Sequence, residues 1–286
     1  MFQTTETSHV VVGCQGWNYD DWVTPGGGAR TVFYPRGTRA ADMLALYARV
    51  FETVEVDSTF YAVPSASAID GWRQKTPARF TFALKLPQEI THRHALRGDT
   101  SARVLEAFCE RVRPLGAKLA AVLVQLPPQF EAVPDNFRAL REFLALLPRD
   151  LRFAVEFREH GWFDAKILDA LARYPHVSLA LVEGTWVRRE RVWELAEALP
   201  PSEFVYVRWM GERDLTRFDT VQRRREENLR AWAEVVARLS ARAPRVYAYF
   251  SNFYEGHAPA SANRLKRLLS QPTVEPSEME SQPSLF

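Results

Sequence analysis

A chain of 286 residues suits one large domain or two ordinary ones, and closed α/β barrels take this length as a single unit. Its 47% hydrophobic and 25% charged residues exclude a wholly disordered chain, and two cysteines exclude a disulfide framework or a four-cysteine zinc site. The net charge of +2 is unevenly split: the stretch from Gln271 carries three glutamates and no lysine or arginine, leaving 37 basic against 32 acidic residues on the body. That balance permits a nucleic-acid surface, although the run QRRREENLR reads first as a solvated helix face. The opening MFQTTETSHV has no basic segment followed by an apolar run, and LAAVLV is far too short to span a membrane. With Cys14 and Cys109 suited to a reducing compartment, a cytoplasmic protein without membrane contact is expected.

Short β-rich runs recur along the chain: HVVVGC, TVEVD, FTFALKL, AAVLVQL, LRFAVEF, VSLALVE, EFVYVRW and RVYAYF. Segments of helical period lie between them. TRAADMLALYARVF places Met43, Leu44, Tyr47, Val50 and Phe51 on one stripe behind a Thr38 cap, and Ser65 can cap SASAIDGWRQK. DNFRALREFLALL repeats the pattern with Phe137, Leu140, Phe143, Leu144 and Leu147, and a last helix runs through SANRLKRLL. Strands alternating with helices require parallel pairing, because a parallel neighbour needs a crossover connection. The alternation predicts an α/β fold, a single (β/α)₈ TIM-type barrel over residues 9–270 followed by a disordered tail over 271–286. A doubly wound open sheet is the alternative, but its glycine-rich first turn is replaced here by GCQGWNYDDW.

Barrel strands alternate between the pore and the helical shell, and the shell side should be large and apolar. Val54 and Val56 therefore send Glu55 and Asp57 inward; Phe82 and Leu84 leave Thr81, Ala83 and Lys85 inside. By the same parity Gln125, Glu156, Arg158, Tyr206, Arg208, Tyr247 and Tyr249 face the pore. The charged ones fall toward the C-terminal ends of their strands, where barrel enzymes hold their active sites. A self-satisfied ion network filling the barrel is the bland alternative.

This convergence offers acid–base or electrostatic chemistry. Glu55 and Glu156 could form a carboxylate pair of separated pKa, with Asp57 beside them. Lys85 and Arg158 would clamp an anion; a Schiff-base role for Lys85 is disfavoured, since acidic neighbours hold it protonated. Trp17, Tyr61, His92, Gln125, Arg208 and Asn252 are the expected substrate-binding residues, the aromatic ones as loop packing or as a stacking platform. No cofactor and no bound metal is expected: six histidines are scattered, none on an inward strand face, although Glu55, Asp57 and Glu156 are suitable hard ligands for Mg²⁺. A metal-independent hydrolase or lyase acting on a nucleotide, nucleic-acid or sugar-phosphate substrate is thus one reading. A non-catalytic nucleotide or nucleic-acid binding module is the other.

Several motifs carry a family resemblance. GCQGWNYDDW, FYP, VEVDSTFYAVPS, FALKLPQEITH, VQLPPQF, FAVEFREHGWF and YFSNFYEGHAPASANRL together resemble the YecE-like family, a TIM-type barrel family of unknown function. The resemblance runs from about Val10 to Leu269 and implies no established reaction. It singles out Gly16, Trp17, Glu55, Asp57, Thr59, Phe60, Tyr61, Lys85, Thr91, His92, Gln125, Pro127, Glu156, Arg158, Trp162, Asn252 and Asn263. Two stretches depart from the family pattern: LVEGTW stands where an aspartate and proline often follow the sixth strand, and Met210 replaces the histidine of R-x-HG.

The chain stops on QPSLF, which puts apolar Leu285 and Phe286 at the end of a stretch rich in Pro, Ser, Glu and Gln. The pattern resembles the pentapeptide by which bacterial polymerases and repair proteins dock on the DNA sliding clamp. The resemblance implies that Gln282 would supply amide hydrogen bonds while Leu285 and Phe286 fill an apolar pocket.

Overall fold

The structure is a computed structural model that describes residues 10–26 and 31–280. Eight strands are present: β1 Val10–Gln15, β2 Thr53–Val56, β3 Thr81–Lys85, β4 Leu119–Gln125, β5 Phe153–Glu156, β6 Val177–Glu183, β7 Val205–Trp209 and β8 Val246–Phe250. All pair in parallel in chain order, and β8 closes on β1. Helices α1 Ala40–Val50, α2 Ala66–Gln74, α3 Gly98–Val112, α4 Pro134–Leu146, α5 Ala165–Leu171, α6 Arg189–Ala198 and α7 Glu226–Ser240 fill the seven crossovers. After β8 come the short α8 Asn252–Glu255 and then α9 Ala258–Leu268. This is the expected closed (β/α)₈ barrel. No helix of the described residues is long and apolar enough to cross a membrane.

The parity read from the strands separates two sets of buried side chains. The shell set includes Val54, Val56, Phe82, Leu84, Val122, Val124, Phe153 and Val155, packed under helices that bury stripes such as Met43, Leu44, Tyr47 and Val50. The pore set contains Ala83, Ala121, Leu123, Ala154, Ala180, Tyr206, Tyr247 and Tyr249. Alanines on β3 to β6 leave room for the tyrosines that β7 and β8 push across the barrel, so small faces large. Tyr206 and Tyr249 lie 5.1 Å apart between ring centroids, and the Tyr249 hydroxyl meets Thr53 Oγ1 at 2.8 Å. The floor of the pore is a packed core rather than a channel.

Two local expectations resolve differently. Ser65 caps α2 as expected, accepting a bond from the Ala68 N–H at 3.1 Å. Thr38 does not cap α1: its hydroxyl donates to the Pro35 carbonyl at 2.8 Å, and Arg39 takes the cap position. The tail also needs correction, because order does not stop at Gln271. The Gln271 side chain donates to the Val10 carbonyl at 2.9 Å, Asn263 Nδ2 to the Val274 carbonyl at 3.3 Å, and Arg267 pairs with Glu275 at 2.7 Å. A last short helix, α10 Pro276–Glu280, buries Met279 against the shell. Val274 and Met279 supply the apolar anchors that a composition average over the tail conceals. Gln282, Leu285 and Phe286 lie outside the described residues.

Closure of the barrel demands a close approach at Gly13. A Cβ there would sit 2.1 Å from the Thr53 carbonyl oxygen on the neighbouring strand, which is backbone and cannot swing aside. Gly13→Ala should therefore destabilise the protein by about 3 kcal/mol. The urea midpoint measures it, and a loss under about 0.5 kcal/mol would contradict the close approach.

Candidate active site

The strand ends bring most of the expected charges together. Glu55 and Glu156, the last inward residues of β2 and β5, are fully buried, and so is Arg208 of β7 between them. Arg208 donates twice to Glu55, from Nε at 2.9 Å and from Nη2 at 2.6 Å, and its Nη1 binds Glu156. The Tyr206 hydroxyl, one layer below, donates to Glu55 at 2.7 Å. This bridge spans the pore.

A second layer stands above it, nearer solvent. Arg158 donates through Nε to Glu156 and through Nη2 to Gln125 Oε1, both at 2.7 Å. Lys85 pairs with Asp57 and lies 3.8 Å from Glu55. Thr59 fixes the lysine backbone from both sides, donating to its carbonyl at 2.8 Å and accepting its N–H at 2.9 Å. The Lys85 and Arg158 side chains are 13% and 9% exposed, so they are the cations of the network that a ligand can reach. The carboxylates considered as hard metal ligands are held instead by Lys85, Arg208 and Arg158.

Charge state follows from these contacts. Burial alone would raise the Glu156 carboxyl, but Arg208, Arg158 and Lys85 outweigh it and bring the pKa down to about 2. Burial pushes the Tyr206 hydroxyl well up, and the Glu55 charge adds to that. His92 is lowered, first by burial and then by the Arg158 charge, so its imidazole is neutral at pH 7. Its Nδ1 is bonded to Thr91 Oγ1 at 2.8 Å, and its ring meets Phe60 edge-on at 5.0 Å. Tyr61, 72% exposed, meets the Phe60 ring edge-on at 5.3 Å.

Two expected binding residues do not join this cluster. Trp17 meets Trp72 of α2 edge-on at 6.3 Å and lines a groove between α1 and α2. Asn252 begins α8, where its Oδ1 accepts from Trp22 Nε1 at 3.2 Å and from the Ala258 N–H at 3.0 Å. Trp162, singled out by family motif, packs in the shell: it stacks on Phe157 at 4.6 Å and donates to the Phe130 carbonyl at 2.6 Å.

A family model described as a protein of unknown function, DUF72, matches residues 11–284. The chain belongs to the DUF72 family. It is 32% identical over 157 residues to the UPF0759 protein YecE of Escherichia coli K12, covering 55% of this chain and 51% of that protein. It is 31% identical over 158 residues to the UPF0759 protein YunF of Bacillus subtilis 168, covering 54% and 52%. These alignments span about half the length of the curated relatives they match. A DUF72 protein from Thermotoga maritima, known by crystal structure, superposes with a TM-score of 0.76 at 26% identity, covering 92% of this chain and 100% of that one. Another from Enterococcus faecalis shares the fold at a TM-score of 0.72 and 20% identity, covering 97% and 99%. The YecE-like resemblance read from the motifs is thereby established.

In this DUF72 barrel two mouth residues, Trp186 and Gln15, escaped the sequence reading. Trp186, on the loop after β6, covers the Arg158 guanidinium at 4.3 Å from its ring centroid. Gly184 makes that fold possible, because a Cβ there would sit 2.7 Å from the indole. Gln15 and Met210, at the ends of β1 and β7 on either side of β8, meet through a 3.0 Å contact of Gln15 Nε2 with the Met210 sulfur. A tryptophan two residues past a strand-end glycine was the available signal for Trp186. For Gln15 it was inward parity on β1.

The Glu156 pairing fixes a pH dependence. Its folded-state pKa of about 2 lies below the ordinary carboxylate value of 4.5, so its stabilisation is complete above about pH 4.5 and is lost as pH falls toward 2. Roughly 3 kcal/mol should disappear across that window. Urea midpoints at pH 6, 4 and 2.5 should fall steeply for the native protein and less steeply for Glu156→Gln; equal slopes would contradict the assignment.

Proposed function

We propose that the barrel mouth binds the oxyanion of a polar ligand between Arg158 and Lys85, and that the protein acts on this ligand by metal-independent acid–base chemistry. The carrying observation is the fixation of Arg158 on three sides, by Glu156, Gln125 and Trp186, with its Nη1 bonded to no described residue. A guanidinium held in one orientation offers oxyanion-binding N–H groups at little entropic cost. In this reading Glu55 and Glu156 do not move protons. Their oxygens are taken by arginines, and they hold the cations in place. Proton transfer falls to His92, neutral beside Arg158, and to Asp57, whose side chain is 43% exposed. A nucleotide, nucleic-acid or sugar-phosphate ligand suits this site.

Calorimetric titration with AMP, pyrophosphate and a short single-stranded oligonucleotide tests the proposal. Arg158→Met and Lys85→Met should each weaken saturable binding by roughly 10- to 100-fold while far-UV dichroism stays native. Unchanged binding in both variants would refute the anion site. If His92→Gln and Asp57→Asn bind normally and abolish turnover, the protein is an enzyme. Binding with no turnover of any bound ligand would make it a recognition module.

The terminal QPSLF supports a second element of the proposal, that the barrel is tethered to the DNA sliding clamp and works on nucleic acid or nucleotides. Fluorescence titration of a tail peptide against the clamp should saturate, and Leu285→Ala with Phe286→Ala should abolish binding. Absence of binding at tens of micromolar would end that part without touching the anion site.

A further inference from the structure

Gln15 is a buried polar group of the mouth whose amide has a weak partner. It is 4% exposed, and its Nε2 donates to the thioether of Met210 at 3.0 Å, a weak acceptor. Its neighbours are satisfied by oxygen: Arg208 and Tyr206 donate to Glu55, and Arg158 donates to Glu156 and Gln125. The Gln15 backbone is fully anchored. Its carbonyl accepts the Tyr19 hydroxyl at 2.9 Å, and the N–H of the following Gly16 reaches the Glu55 carbonyl at 2.8 Å. The side chain therefore projects from a fixed base toward a flexible sulfur that a better acceptor can displace.

Position adds the rest. In a closed ring ordered β1 to β8, β1 stands opposite β5. Gln15 ends β1, and Arg158 follows β5. A ligand oxyanion on Arg158 and Lys85 thus leaves its remaining atoms running toward Gln15.

We propose that Gln15 is a second ligand-binding pole, donating from Nε2 to a neutral oxygen of the substrate, a hydroxyl, carbonyl or ring oxygen, in place of Met210. The inference rests on the anion site proposed above and narrows its ligand. The substrate carries an oxyanion at one end and a neutral oxygen acceptor across the mouth, as sugar phosphates and nucleoside monophosphates do, and a bare inorganic anion fills only half the site.

Paired calorimetric titrations with inorganic phosphate and ribose 5-phosphate test it on the full chain. The native protein should prefer ribose 5-phosphate. Gln15→Met, close in volume and unable to donate, should lower ribose 5-phosphate affinity by about five- to tenfold and leave phosphate affinity unchanged. Arg158→Met should lower both. Met210→Leu removes the competing sulfur and should keep or increase the preference, which guards against a Gln15 variant that folds poorly. An unchanged preference in Gln15→Met, a lost preference in Met210→Leu, or no preference in the native protein overturns the role of Gln15 while the anion site stands. Failure of the native protein to bind either probe overturns both.

Discussion

The mouth depends on one buried cation. Arg208 joins Glu55 to Glu156 across the pore, and none of the three side chains reaches water. Such a bridge is costly to desolvate and strongly destabilising when one partner is lost, because an uncompensated charge then stays buried. Two carboxylates on one guanidinium leave an excess negative charge. Lys85 and Arg158 sit immediately above it and offset that excess. The reachable cations are therefore held by a demand from the layer beneath them, not by loop packing alone. Preorganisation of this kind is what anion recognition requires.

The same bridge explains why the pore is graded. Alanines on β3 to β6 yield volume to Tyr206, Tyr247, Tyr249 and Arg208, which cross from β7 and β8. Tyr206 forms the join, its ring in the apolar floor and its hydroxyl on Glu55. A polar tip on an apolar body suits that boundary.

Most of this architecture was legible in the sequence, because alternation along a strand is a short-range signal. Parity placed Glu55, Glu156 and Arg208 on one face before any contact was known, and strand direction placed them at one end. Partner choice was not legible. Whether Glu55 titrates freely or clasps an arginine depends on residues 153 positions away, which no local pattern encodes. Trp17 and Asn252 were misplaced for a related reason: both sit at strand ends, but loop turns send Trp17 toward α2 and Asn252 into the cap of the last helices. The anchoring of Val274 and Met279 was hidden by averaging composition over the tail, when two apolar side chains and three hydrogen bonds or ion pairs suffice to dock its first ten residues.

The departure at Met210 gains meaning from its surroundings. A histidine there would place a titratable group beside Gln15, on the β7 side of the mouth; the thioether places none. Beside it Arg208 is held charged by Glu156 and Glu55, and Tyr206 keeps its proton well above its ordinary range. His92, lowered by burial and by Arg158, lies on the opposite side, after β3. On the proposed function the mouth is asymmetric: one wall positions the ligand through fixed donors, and the other carries His92.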